Sequence, residues 1–538
     1  MRLYHDPIHS GSCLDRIRRA FTAGAKRGKV ACAILALVFA AACQDQEIEA
    51  QAEAASAMAM LEQNRFAEAR MAINRALILK DDVPDYHIAR GRIEFAAGAV
   101  SAAYDAYFDA LALDPSNLEA LQAVSQLGLQ TGNINASLRA TDTLILLNPG
   151  DTTALITRGV HALISSRLDE ADDYAARALA VNSYSDEAMI LRSRVLYLRG
   201  KNEAALELLE NRSREGEDSA GIHLMRLELY RAQRNPKGME IQFGALRATD
   251  QISWQLAVDE ANFLFKLGRR NAALDLTVDL LASDELTPEA LRSVVELWRL
   301  WAITDLSDEA VVTLSTKGSQ SVRYDVALFL ARQSALDHAV ELSQSLDGNG
   351  RDALAAFIAL RSGRTAEAER LASRVLGADK THCLGLEVQA RIRLSRGKLR
   401  EALTDAQQVT IQCPNEVAGW IIAASAYSEM GDPHNARRVF RQGAEANPQD
   451  LGYLIEHTRW LRRQDRQREA IAVARRLTRD APAMIQGWEH YRELCGVAAD
   501  PCVADAERGL ADARTRYWID YKPGESPPPG LFGRLKDI

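Results

Sequence analysis

DYHIARGRIEFAAGAVSAAYDAYFDALALDPSN, the stretch from Asp85 to Asn117, predicts two amphipathic helices joined by a turn at Gly98. Gly98 can take the positive φ that ends the first helix, and Pro115 stops the second because its ring cannot continue a helix. The residues that bring the helices together are small or apolar: Gly91, Ala103, Tyr107, Ala110, Leu111 and Leu113. One such helix hairpin cannot bury both of its faces, so it needs neighbours.

Those neighbours recur every 34 residues along the chain. The turn column holds Asn64, Gly98, Gly132, Ser166, Gly200, Arg234 and Gly268. The small-residue column holds Ala69, Ala103, Ser137, Ala171, Ala205, Met239 and Ala273. After Pro288 the phase slips, and it resumes with Gly363, Gly397 and Gly431 in turns, Ala368, Ala402, Ala436 and Ala470 in the small column, and Pro414, Pro448 and Pro482 as terminators.

The segment Val417 to Asp450 carries the complete pattern of one known repeat, with Trp420, Tyr427, Ala436, Phe440 and Pro448 in its large, small and terminating positions. On these residues the chain resembles the tetratricopeptide-repeat (TPR) family, over roughly residues 50–515. The resemblance implies an all-α solenoid of stacked antiparallel helix hairpins, with about 13 units.

The spacing also predicts the order of segments along the solenoid. A first arm spans residues 50–287, an irregular helical join spans 288–349, and a second arm with a capping helix spans 350–517. A Pro-rich tail covers 518–538. In the join, Ser307 or Asp308 can cap a helix, and Trp298 and Trp301 belong either to the core or to a docking surface.

The N-terminus has the organisation of an export signal. Basic residues precede an apolar run from Val30 to Ala42, which is too short to span a bilayer comfortably. The sequence AAAC, ending at Cys43, resembles the bacterial lipobox, which implies a signal peptide over 1–42, a lipidated Cys43 and a spacer to residue 49. Gln44 after the cysteine then implies the outer membrane, facing the periplasm. A lone apolar helix anchoring an inner-membrane protein is the alternative.

Charge and cysteines agree with export. Without residues 1–42 the chain keeps 58 basic and 71 acidic residues, and this acidic balance disfavours nucleic acid as a partner. Four cysteines remain in the solenoid: Cys383, Cys413, Cys495 and Cys502. They form either two disulfides, Cys383 with Cys413 and Cys495 with Cys502, or four buried thiols. Their spacing does not match a metal-ligand motif, and the sequence predicts no metal and no cofactor.

No catalytic motif is recognisable either. HExxH, GxxxxGK[ST] and GxSxG are missing, and the histidines fall in different repeats. The sequence therefore predicts that the protein is not an enzyme.

In the family, the first helix of each pair lines the inner face of the solenoid and binds partner proteins. Carried across, that face offers these candidate residues: Arg92, Phe95, Arg194, Tyr197, Arg391, Arg459, Arg462 and Arg463. Such a row of arginines either grips carboxylates of a partner or pairs with Asp and Glu of the adjacent repeat. The Arg-rich segment 459–479 meets an anionic partner or is simply a solvated face.

Together these features predict a non-catalytic scaffold that a lipid holds at the periplasmic side of the outer membrane. The resemblance extends to TPR lipoproteins that help to assemble a pilus, a secretin or a polysaccharide-export complex. A periplasmic adaptor tethered to the inner membrane, which regulates an envelope enzyme, is the alternative. A polymer-processing enzyme is disfavoured because no region outside the repeats is large enough for a catalytic domain.

Overall fold

The computed structural model describes residues 29–213, 218–249, 253–284, 286–482, 484–496 and 501–515, with side chains from residue 46 onward. Within these ranges the regular structure consists of 28 helices without a strand, so the predicted all-α fold is confirmed. None of these helices is both long and apolar enough to cross a membrane. The predicted signal peptide up to residue 28, the side chain of Cys43 and the tail 518–538 lie outside the described residues.

The chain forms two compact units, one up to Tyr230 and one from Arg231. Unit 1 contains the helices α1 Lys29–Glu62, α2 Phe66–Leu79, α3 Pro84–Ala96, α4 Val100–Leu113, α5 Leu118–Gln130, α6 Ile134–Leu147, α7 Thr152–Ile164, α8 Leu168–Val181, α9 Asp186–Leu198, α10 Asn202–Ser213 and most of α11 Ala220–Ala232. An odd-numbered helix is the first of a pair and the next even-numbered helix is the second.

The same alternation continues in unit 2. Its helices are α12 Pro236–Ala248, α13 Trp254–Lys266, α14 Arg270–Leu281, α15 Pro288–Leu300, α16 Asp308–Lys317, α17 Gln320–Gln333, α18 Leu336–Gln344, α19 Gly348–Arg361, α20 Thr365–Ala378, α21 Cys383–Ser395, α22 Leu399–Gln412, α23 Val417–Glu429, α24 Pro433–Ala446, α25 Leu451–Arg463, α26 Gln467–Asp480, α27 Ile485–Cys495 and α28 Pro501–Thr515.

The turn column predicted from the 34-residue spacing is confirmed. Gly98 has a φ of 75°, and the non-glycine members Asn64, Ser166 and Arg234 also have positive φ, between 56° and 58°. A left-handed residue at this point lets the chain leave the first helix and start the second without a longer loop. The backbone conformation, rather than glycine itself, is what repeats.

The small-residue column is the line along which paired helices touch. Ala69, Ala103, Ser137 and Ala171 have no solvent exposure at all. Gly91 serves the same close approach from the facing helix, because a Cβ there would lie 2.7 Å from the ring of Tyr107. Small side chains in these positions therefore set the distance between helices, and larger neighbours fill the space on either side.

The region 288–349 is helical and lies within unit 2. Ser307 caps α16 through its side-chain oxygen, which accepts a hydrogen bond from the amide of Ala310 at 3.3 Å. Trp298 is fully buried and donates to Thr277 at 2.9 Å, so it is a core residue. The side chains of this region join one hydrophobic core that extends from Ala261 to Ile392. The predicted join thus falls inside a unit, and the division between units falls in α11.

Both cysteine pairs are bonded in the structure, Cys383 with Cys413 and Cys495 with Cys502. Cys383 begins α21 and Cys413 follows α22, so the bridge ties the open end of one helix pair across a Cα separation of 6.5 Å. A disulfide that closes a loop of this size stabilises the folded chain by about 3 kcal/mol on chain-entropy grounds.

Candidate functional site

Four of the predicted partner-binding residues lie in unit 1, on the first helices α3 and α9. Arg92 forms an ion pair with Glu119 of the next helix pair, and Phe95 is exposed beside it. Arg194 forms an ion pair with Glu228, again in the next pair. Both arginines therefore pair with carboxylates of the adjacent repeat, which is one of the two arrangements that the sequence left open.

Arg194 also lies over the ring of Tyr197, with 5.4 Å between the guanidinium carbon and the ring centroid. The arginine is buried, because Tyr197 covers one side of it and Glu228 holds its end. These contacts hold the Arg194 side chain in one orientation on α9.

In unit 2 the arginines predicted on α25 differ in whether they form an ion pair. Arg459 pairs with Glu456 on its own helix. Arg462 and Arg463 are exposed, and neither has an ion pair among the described residues. Partner binding by this group stays a prediction, with Arg462 and Arg463 the members whose charge is not already neutralised.

A groove of about 610 Å³ opens in unit 2, between the first helices α17, α19, α21 and α23. Its lining consists of Arg332, Phe357, Leu360, Arg361, Thr365, Glu387, Arg391, Leu394, Ser395 and Glu429. Binding sites for small ligands and short segments typically have volumes of about 300 to 1,000 Å³. Among the candidate residues predicted from the sequence, Arg391 is the one that lines it.

Glu387 holds together the charged floor of the groove. Its residue is only 2% exposed, and its two oxygens bind different arginines. Oε2 accepts from Arg332 at 3.1 Å, and Oε1 accepts from Arg391 at 2.9 Å. Burial raises the pKa of this carboxyl, but Arg332 and Arg391 more than offset that effect, and the pKa stays below its ordinary value. Glu387 is therefore an anion at neutral pH.

Arg332 connects three helix pairs at one point. The same Nη2 that reaches Glu387 also donates to Glu416 at 2.8 Å, 84 residues further along the chain. Its guanidinium lies 5.8 Å from the ring centroid of Phe357. Because both carboxylates and the ring hold this side chain, Arg332 is preorganised in the groove.

Helices α15 and α27, which are far apart in the sequence, are in contact within unit 2. Gln486, in the first turn of α27, donates its side-chain N–H to the carbonyl oxygen of Leu300 at the end of α15, at 2.7 Å. This hydrogen bond joins two residues that are 186 positions apart in the sequence.

The lining of the groove combines apolar walls with charged side chains. Phe357, Leu360 and Leu394 supply apolar walls, and Arg361 and Glu429 supply exposed charges of both signs. The hydroxyl of Ser395 donates to the carbonyl oxygen of Ile392 at 2.9 Å. In the described part of the chain no group of three or more His, Cys, Asp or Glu residues is arranged to hold a metal ion.

Sequence reasoning missed Arg332 because it lies in the region where the phase slips. The structure supplies the missing register: Ser334 has a φ of 73° and occupies the turn between α17 and α18. Arg332 lies two residues before Ser334, at the end of a first helix. Arg361 and Ser395 occupy the equivalent position in the next two helix pairs. A sequence search that allowed residues other than glycine in the turn position would have placed Arg332 on a first helix.

Stacked helix pairs that repeat along the chain define the class of helical-repeat proteins. The family model for the tetratricopeptide repeat matches residues 54–117, which run from α1 to the loop after α4. Residues 54–117 of this chain therefore contain tetratricopeptide repeats. No curated protein sequence matches it at a significant level.

Solved structures with a similar arrangement are themselves TPR proteins, and each matches a part of the chain. PilF of Pseudomonas aeruginosa is 16% identical over 39% of this chain and 95% of its own, with a TM-score of 0.32. A TPR protein of Parabacteroides merdae is 16% identical over 46% and 98%, with a TM-score of 0.41. PilW, described as a type IV pilus biogenesis factor, is 19% identical over 38% and 94%, with a TM-score of 0.33. At these values the likeness carries no argument about function.

Proposed function

We propose that this protein is a non-catalytic scaffold that holds a segment of a partner protein in the groove of unit 2. The groove itself is the observation that carries the proposal. Its apolar walls can bury side chains of an extended or helical segment, and its fixed charges can orient polar groups of the same segment. TPR proteins act in general as interaction scaffolds, and the lining described above supports binding rather than catalysis.

Filling the groove tests this proposal. The side chain of Leu394 is half-buried in the wall, so Leu394→Trp reduces the free volume with little change to the core. We expect the variant to lose most of the proteins that the wild-type chain captures from its own envelope fraction, as measured by quantitative mass spectrometry. Ile411→Trp is the control, because Ile411 is exposed on a second helix and does not line the groove. Equal capture by both variants would exclude the groove as the binding site.

We further propose that a lipid on Cys43 anchors the scaffold at the periplasmic side of the outer membrane. The support is the sequence alone: an apolar run that ends in AAAC, and Gln44 after the cysteine. Cys43→Ser should release the protein from the membrane fraction. If it stays membrane-bound, lipidation at Cys43 is wrong.

A separate test distinguishes the outer membrane from the inner membrane, because an adaptor tethered to the inner membrane is the alternative. On a density gradient, the wild-type protein should migrate with outer-membrane porins. Gln44→Asp should move it to the inner-membrane fraction, if the residue after the cysteine acts as the retention signal. Migration of the wild type with the inner membrane would favour the adaptor. Assembly of a pilus, secretin or export complex would then lose its support.

A further inference from the structure

A row of exposed apolar side chains follows one edge of unit 1, where the second helix of each pair ends. The helices α2, α4, α6 and α8 end at Leu79, Leu113, Leu147 and Val181. At or beside these ends lie Ile78, Leu113, Leu118, Leu146, Leu147 and Val181, all exposed. We name these six residues the apolar edge. Ile78 and Leu146 are the most open of them, with exposures of 83% and 82%.

The apolar edge is not a general consequence of the repeat. In the second arm the corresponding helices α20, α22, α24 and α26 end at Ala378, Gln412, Ala446 and Asp480, which are small or polar. One large apolar residue is exposed beside them, Ile411. A repeat needs no large apolar side chain at this point, so the row in unit 1 has another cause.

Helix α1 leads away from the apolar edge. Lys80, directly after α2, binds Glu47 of α1 through its ammonium group at 2.9 Å. Cys43 lies four residues before Glu47 in the same helix, roughly 6 Å along the helix axis from this contact. The predicted anchor and the apolar edge are therefore on the same side of unit 1.

We propose that the apolar edge of unit 1 rests in the headgroup layer of the lipid bilayer that holds the anchor. This inference rests on the lipid anchor proposed above, and it adds a second contact that sets the orientation of unit 1 on the membrane. Leucine and isoleucine side chains gain free energy when they enter the boundary between headgroups and acyl chains.

The charges beside the apolar edge select the lipid. Asp81 and Asp82 are exposed in the loop after α2. Carboxylates are repelled by an anionic surface within about one Debye length, roughly 8 Å at physiological salt. The proposed surface is therefore zwitterionic.

Depth-dependent quenching in the full lipid-anchored protein tests the contact. Leu146→Cys introduces one free thiol for an environment-sensitive fluorophore, and Ile411→Cys is the matched control on a second helix of unit 2. Both proteins are bound to vesicles of zwitterionic lipid that contain a fraction of doxyl-labelled lipid. We expect the fluorophore at position 146 to be quenched about threefold more strongly than that at 411. Replacing a part of the zwitterionic lipid with anionic lipid should weaken quenching at 146.

The failures of the two proposals can be told apart. A wild-type chain that does not float with vesicles refutes both the anchor and the contact. A chain that floats through Cys43 but shows equal quenching at 146 and 411 refutes the contact alone. If position 146 is unquenched by lipid and instead becomes crosslinked to an envelope protein, the apolar edge is a protein interface and the lipid contact is wrong.

Discussion

Glu387 is the residue on which the geometry of the groove depends most. A buried carboxylate held by Arg332 and Arg391 is costly to desolvate, but removing it leaves two guanidinium groups without their shared partner. We expect Glu387→Ala to destabilise unit 2 by about 3 kcal/mol or more. Every tryptophan lies beyond Tyr230, so tryptophan fluorescence during denaturant unfolding reports on this unit. Glu369→Ala, which breaks the exposed pair with Arg396, should change stability by less than about 1 kcal/mol. Equal effects would mean that the buried network contributes little.

His161 makes unit 1 sensitive to acid. It is buried, and its Nε2 shares a hydrogen bond of 2.9 Å with the hydroxyl of Ser137. Its Nδ1 has no hydrogen-bond partner among the residues that the structure describes. Burial lowers its pKa to about 4, with a further contribution from Arg158. Because the folded-state pKa lies below that of the unfolded chain, protonation favours unfolding. Stability is therefore unaffected above about pH 6.5 and falls between about pH 6.5 and pH 4, by about 3 kcal/mol in total.

His161→Gln isolates this effect, since the amide stays neutral over the whole range. Amide hydrogen exchange of α6 and α7 should show a smaller loss of protection between pH 7 and pH 4 in the variant than in the wild type. His457 plays the same role in unit 2, where burial lowers its pKa to about 4. A variant of His161 with an unchanged pH dependence would show that other groups cause the acid sensitivity.

Single residues also show what the sequence could and could not predict about the site. The repeat register located Arg92, Arg194 and Arg391 on first helices, and it left open whether they bind partners or neighbouring carboxylates. The structure shows the carboxylates. It also shows Arg332, whose partners lie 55 and 84 residues away. Pairings over such distances depend on the curvature of the stacked helices, which a periodic pattern does not encode.

At the scale of the helix pair, the left-handed turn residue is the element that repeats most faithfully. Gly98 and Ser166 occupy equivalent turns with φ of 75° and 57°. An L residue in this conformation is strained, whereas glycine is not. A Cβ at Gly98 would meet no atom within 4 Å, so the backbone alone decides the effect of a substitution.

Opposite substitutions at these two turns should have opposite effects on the free energy of unfolding. Gly98→Ala should destabilise unit 1 by about 1 kcal/mol, and Ser166→Gly should stabilise it by about 0.5 kcal/mol. Amide hydrogen exchange of α3 and α4, and of α7 and α8, measures the two effects locally. If both substitutions destabilise to the same extent, side-chain contacts rather than the turn conformation determine the cost.

The positions of the left-handed turn residues explain where the sequence predicted the helix pairs correctly and where that prediction became imprecise. The spacing of 34 holds up to Ala302, which has a φ of 48° and extends the column one step beyond Gly268. It then shortens to 32 at Ser334 and to 29 at Gly363 before it returns to 34. The short α18, with nine residues, accounts for the second contraction. A search for a constant interval finds an irregular join there, although the helix pairs continue.

At the scale of the whole molecule, the two proposed contacts belong to different units. The apolar edge lies in unit 1 and the groove lies in unit 2. Leu146→Asn should therefore weaken the lipid contact and leave the capture of partner proteins unchanged. Leu394→Trp should have the reverse effect. Vesicle flotation and quantitative capture measure the two functions in the same preparations, and a variant that impairs both would show that the functions are coupled.

The central claim is that the groove of unit 2 holds a partner protein, and site-specific photocrosslinking in the intact envelope tests it most directly. A photoreactive amino acid replaces Leu360 or Leu394 in the groove, or Ile411 outside it. The account predicts that both groove positions crosslink to the same partner and that position 411 does not. Crosslinks of equal yield at all three positions, or crosslinks at 411 alone, would contradict it.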